Sequence, residues 1–132
     1  MGVTTVSFLV PGGRAAATAA RHWVVLAGAD MSQETRDSLA LLLSEMVNNA
    51  VQHGGAGERE RIEVRLSWPA RRLRVEVLDP GSTRGESVER VTREGGWGLV
   101  LVDSIADRWG LDSAPDGGSR AWFELVLEGR LN

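Results

Sequence analysis

Cysteine and lysine are both missing from this 132-residue sequence, as is tyrosine. Without cysteine there are no disulfides, no thiolate nucleophile and no cysteine-ligated zinc. Without lysine there is no Walker A phosphate loop, whose lysine reaches the terminal phosphates, and no Schiff-base chemistry. All 15 basic residues are arginine. Histidine is scarce, and His22 and His53 are not spaced as a metal-binding pair. No apolar run nears the ~18 residues that a membrane-spanning helix needs. Met1 to Val10 also lacks the basic segment and apolar core of a signal peptide. A membrane partner is therefore not expected, and a cytoplasmic location is. The net charge of −3, with both signs mixed along the chain, gives no basic footprint for direct nucleic-acid binding.

What is present suffices for one core. At 132 residues and 42% hydrophobic, the chain is long enough for a single well-buried domain over 1–132 and too short for two ordinary ones. Val3 to Val10 reads as a strand ended by Pro11-Gly12-Gly13, and the alanine-rich Arg14 to Ala27 favours helix. Gly28-Ala29-Asp30 breaks it, and Ser32 can N-cap a second helix that runs to Gly54. Ile62, Val64, Leu66 and Trp68 alternate with polar residues, as do Leu73, Val75 and Val77, so a hairpin turning at Pro69-Ala70-Arg71 is expected. Residues 80 to 96 form a long polar loop, of a length that in a small domain is functional or mobile. Leu99 to Trp109 returns to helical spacing and stops at Gly110, a position suited to a helix C-terminal glycine. Asp116-Gly117-Gly118-Ser119 is a turn before a last strand carrying Ala121, Phe123, Leu125 and Leu127. The economical architecture is α+β: a two-layer sandwich with a mixed, largely antiparallel sheet covered on one face by helices.

Three stretches carry chemistry. In the second helix, apolar residues at 39, 42, 43, 46, 47, 50 and 51 follow a 3.6-residue period, and Glu45, Asn49 and His53 form a polar row at i, i+4, i+8. A carboxylate one turn before a carboxamide can serve a hydroxyl and a hard cation at neighbouring positions, although a solvated helix face has the same pattern. Asp79 stands where an apolar strand stops at Pro80-Gly81. There it could accept a hydrogen bond from an exocyclic amine such as adenine's, with Gly81 allowing close approach, or simply make a turn. Gly95-Gly96-Trp97-Gly98 directly precedes a helix, where backbone amides and the helix N-terminus suit phosphates; a loop hinge is the alternative. Gly117-Gly118-Ser119 adds a polar contact at most.

The order of these stretches resembles the four boxes of the GHKL ATPase superfamily, which has the Bergerat fold. Within it the chain is similar to the small anti-sigma-factor serine/threonine kinases of bacterial partner-switching systems. The resemblance runs from Phe8 to Leu127. It rests on Glu45-x-x-x-Asn49 with His53-Gly54, on Asp79-Pro80-Gly81, and on Gly96-Trp97-Gly98-Leu99-Val100-Leu101-Val102. By position it implies ATP as cofactor, with Asn49 coordinating Mg²⁺ and Glu45 acting as the general base on a serine hydroxyl. Asp79 would read the adenine amine, with Gly81 beside it. Gly96, Gly98 and Leu99 would offer amides to the phosphates, Ser119 a hydroxyl near the base, and His53 support at the helix end. One departure is Thr83, which stands where the family's first glycine box has its second glycine. Trp97 either caps the nucleotide or packs on the core.

The resemblance thus implies a kinase that phosphorylates a STAS-type anti-anti-sigma protein and sequesters a sigma factor; homodimers are common in that group. The alternative is a binding module of the same fold, gated by nucleotide and without transfer. A histidine-kinase catalytic domain is the weaker reading, because nothing in the sequence resembles a dimerisation helix with a phospho-accepting histidine.

Overall fold

The computed structural model describes residues 5–27, 31–53, 61–68, 71–79, 96–113 and 118–127. Strand β1 (Thr5–Pro11) leads through Gly13, at φ 80°, into helix α1 (Ala16–Ala27). The positive φ is a left-handed conformation that glycine adopts without strain. Helix α2 spans Gln33–His53. Its N-cap is Ser32, whose Oγ accepts the Thr35 N–H at 3.2 Å, as its residue type predicts. Strands β2 (Arg61–Ser67) and β3 (Arg72–Asp79) follow, then helix α3 (Gly96–Ile105) and strands β4 (Arg108–Ser113) and β5 (Ser119–Val126).

The five strands form one sheet in the order β1-β2-β3-β5-β4, and every pairing is antiparallel. Period-two alternation makes the sheet two-faced. Phe8, Val10, Ile62, Val64, Leu66, Leu73, Val75, Val77, Phe123 and Leu125 are buried on one side. That side is covered by the helices, with Leu39, Leu42, Leu43, Met46 and Val47 of α2 in the same core. In α1, Ala16, Ala20 and Val24 recur every four residues and are buried, so the first two turns meet their neighbours through small side chains. Trp23 stacks on Phe8 with ring centroids 5.3 Å apart.

The opposite face carries a charge lattice laid out by register. One row reads Ser67, Arg74, Glu124, Arg108 across β2, β3, β5 and β4, and the next reads Arg65, Glu76, Trp122, Gly110. A third row runs Glu63, Leu78, Arg120, Asp112. Ion pairs within the lattice raise two guanidinium pKa values: Arg65 through its hydrogen bond to Glu63, and Arg120 through its bonds to Asp112.

The last third of the chain departs from the expected pattern. Helical spacing over Leu99 to Trp109 predicts a helix ended by Gly110, yet α3 ends at Ile105 and Arg108–Ser113 is a strand. The reason is Asp107. Its N–H goes to the Glu124 carbonyl at 2.9 Å and its Oδ2 takes the Val126 N–H at 2.7 Å, so the chain turns onto β5. Trp109 then reaches back to bond Asp103 at 2.9 Å. Gly110 is not a helix stop but a clearance, because a Cβ there would lie 2.7 Å from the Trp122 indole. The helix also starts earlier than expected, at Gly96, so the glycine run enters its first turn instead of preceding it. The sheet is antiparallel throughout the described strands instead of mixed.

Gly110→Ala is expected to destabilise the fold by about 1–3 kcal/mol in urea unfolding, because the Trp122 ring must move. In a Trp122→Ala background the same change should cost almost nothing; equal penalties in both would disprove the contact. Ser32→Ala should cost about 1 kcal/mol through loss of the cap.

Candidate functional site

The residues singled out in the sequence lie on four elements. Glu45 and Asn49 are on α2, Asp79 ends β3, Ser119 begins β5, and Gly96, Gly98 and Leu99 open α3. The sheet register gathers several of these ends. Pro11 faces Arg61, Leu78 faces Glu63, and Asp79 faces Ser119, which in turn faces Ser113. The end of β1, the start of β2, the end of β3 and the start of β5 therefore share one edge of the sheet.

Asp79 and Ser119 are direct cross-strand partners, a pairing the sequence order could not reveal because β5 inserts beside β3 across the whole of α3 and β4. Directly opposed residues of an antiparallel pair have Cα atoms only about 4.5–5.5 Å apart. Asp79 is 5% exposed. A carboxylate taken so far out of water is held by polar partners.

Helix α2 is packed against α1, the sheet and α3. Asn48 is exposed, whereas its neighbour Asn49 is only 8% exposed and leaves Nδ2 buried without a hydrogen-bond partner. A solvated helix face does not account for that. A buried amide N–H2 lacking a bond costs about 1–3 kcal/mol, and the acceptor it lacks is one that a ligand oxygen could supply. Glu45, one turn earlier, is half-buried. Beside it, Ser44 is buried; its Oγ donates to the Ala40 carbonyl at 2.8 Å and accepts from Arg21 Nη1 of α1 at 3.0 Å. That tie fixes α1 to the turn of α2 that bears Glu45. Only the serine among leucines hinted at it, and the Arg21 partner 23 residues away left no signal in the sequence.

In α3 the amides of Gly96 and Gly98 fall in the first turn, where helical N–H groups have no intrahelical acceptor, and Leu99 follows directly. Leu99 is buried, which anchors this turn. His53 is the last residue of α2. Gly81 and Thr83, with the rest of the loop, lie outside the described residues, as do the side chains of His53 and Trp97. Among the described residues no cluster of three acidic or histidine side chains could cage a metal. A single amide oxygen suits magnesium instead, because that ion keeps several waters and shares phosphate oxygens. The residues present fit a magnesium nucleotide.

A family model described as the histidine kinase-like ATPase domain matches residues 12–122, a span that takes in every one of these positions. The chain belongs to that family. This histidine kinase-like ATPase domain is also similar to the sensor histidine kinase AruS of Pseudomonas aeruginosa, at 32% identity over 143 aligned residues. The match covers 92% of this chain and 14% of the relative's length. No described helix is long and apolar enough to cross a membrane.

If the Asn49 amide is kept for a ligand and not for folding, Asn49→Leu should leave the domain as stable or raise its stability by about 1 kcal/mol. Thermal unfolding of the ligand-free protein checks this, and a loss of several degrees in Tm would show that the amide is structural.

Proposed function

We propose that this domain binds ATP with Mg²⁺ and transfers the terminal phosphoryl group to a serine or threonine of a partner protein. What supports the reading is the family match that spans the sequence boxes, together with the buried Asn49 one helical turn beyond Glu45. Its unpaired Nδ2 can donate only to an acceptor such as a phosphate oxygen, while its Oδ1 is the atom suited to a cation. Asn49 would hold the magnesium ion, which when bound neutralises phosphate charge. Asp79 would accept a hydrogen bond from the adenine amine, with Gly81 and the Ser119 hydroxyl beside it. The amides of Gly96, Gly98 and Leu99 would receive phosphate oxygens, with the partial positive charge of the α3 N-terminus behind them. His53 would support the end of α2. Glu45 would take the proton from the incoming hydroxyl. Phosphoryl transfer needs mostly positioning and charge neutralisation, so this short set of groups is sufficient.

The partner in this reading is a STAS-type anti-anti-sigma protein, and the domain also sequesters a sigma factor. Support for this comes from the resemblance of the Glu45-x-x-x-Asn49, Asp79-x-Gly81 and Gly96-x-Gly98-Leu99 boxes to the anti-sigma kinases. A cytoplasmic setting and a homodimer belong to the same reading. The similarity to a sensor histidine kinase favours a second reading, in which the acceptor is a histidine on another segment or protein.

Incubation with labelled ATP and a STAS-domain protein of the same organism separates these readings. An acid-stable phosphoserine or phosphothreonine is expected, whereas an acid-labile phosphohistidine would establish the second. Glu45→Ala should lower transfer about 10²–10⁴-fold while leaving ATP affinity nearly unchanged. Persisting transfer in that variant would disprove Glu45 as the base, and binding without any transfer would leave a nucleotide-gated module.

A further inference from the structure

We propose that the outer face of the sheet, at the end remote from Asp79, is a docking surface for an acidic segment of a protein partner. The face opposite the helices is lined in register by Arg74, Glu124 and Arg108 from β3, β5 and β4. Arg72 lies two residues before Arg74 on the same side of β3. These three arginines converge on one carboxylate. Glu124 accepts a hydrogen bond from Arg74 at 2.9 Å, while Arg72 and Arg108 each reach its other oxygen only at 3.6 Å. That oxygen is buried and has no hydrogen bond. Arg72 and Arg108 are thus placed by the pair without spending their N–H groups on it, and their side chains are 46% and 62% exposed.

The local balance is positive. Arg71, Arg72, Arg74 and Arg108 stand against Glu124, Asp107 and Glu76, which pairs with Arg74, and the Asp107 carboxylate is already engaged by the Val126 N–H. The rest of the lattice differs, since Arg65, Arg120, Glu63, Glu76 and Asp112 pair among themselves, with Glu76 also 3.7 Å from Arg74. The arginine end also has an aromatic floor. Trp122 lies against Gly110, with Arg74 stacked 4.2 Å from its ring centroid and Arg108 5.9 Å away. Arginine forks held over tryptophan, with free N–H groups at the rim, match carboxylates geometrically as well as in charge. A chain with no lysine and a net negative charge elsewhere makes this concentration stand out.

The surface lies at the opposite end of β3 from Asp79, about 23 Å away by strand rise, and on the other side of the sheet from α2. A partner held there leaves the nucleotide edge open, so docking and nucleotide binding are separable. The test uses fluorescence anisotropy of labelled hexaglutamate with the whole protein. Binding is expected at ~50 mM salt and should weaken at ~200 mM. Arg72→Ala with Arg108→Ala should weaken it roughly tenfold and leave thermal unfolding and ADP binding unchanged. Arg14→Ala with Arg36→Ala, on the helical side, should change nothing. Absence of binding, equal weakening by both double variants, or tighter binding of a single-stranded oligonucleotide of equal charge would each overturn the proposal.

Discussion

Helix α2 can bury Leu39, Leu42, Leu43, Met46 and Val47 against the sheet in only one rotation, and that constraint governs the rest of the molecule. The leucine stripe sets the rotation, and the Ser32 cap sets where the helix begins. Arg21 bonding Ser44 then ties α1 to it. Once the rotation is set, Glu45 and Asn49 have no choice of direction. The apolar packing outweighs the cost of one unsatisfied amide, since each buried leucine contributes about 1.5–3 kcal/mol against about 1–3 for the amide. A stable core thereby holds an unstable polar group in place, a common arrangement where activity requires a strained or unsatisfied residue.

The sheet supplies the second half of the site by topology. Because β5 comes back between β3 and β4, Asp79 acquires Ser119 as its cross-strand neighbour, although 40 positions separate them. The same insertion lays Trp122 against Gly110 and brings Arg74 and Arg108 to Glu124. One crossover thus shapes both faces. The inner one packs under the helices, and the outer one concentrates arginines at the far end.

Much of this was legible from residue order. The alternation in Ile62–Trp68 and Leu73–Val77 predicts β2 and β3, and Ser32 marks the start of α2. Glu45, Asn49, Asp79 and the glycines at 96 and 98 could be picked out as a set only by their sequence of spacings. What was not legible depended on tertiary partners. The burial of Asn49 but not Asn48 follows from elements packed around α2, which periodicity alone does not count. Trp109-Gly110 fits a helix end and a strand equally well. Only the bonds Asp107 makes to β5 decide for the strand. The opposition of Arg74 and Glu124 needs the strand order, which is not sequential.

The account stands or falls on the Asn49 turn of α2 meeting a magnesium nucleotide. Equilibrium binding of ATP to the purified protein, with and without Mg²⁺, tests this most directly. Saturable binding at one site, tightened by Mg²⁺, is the predicted result. Undetectable binding at about 1 mM ATP, which corresponds to a binding free energy weaker than about −4 kcal/mol, would contradict it. The orphaned amide would then have no ligand to explain it.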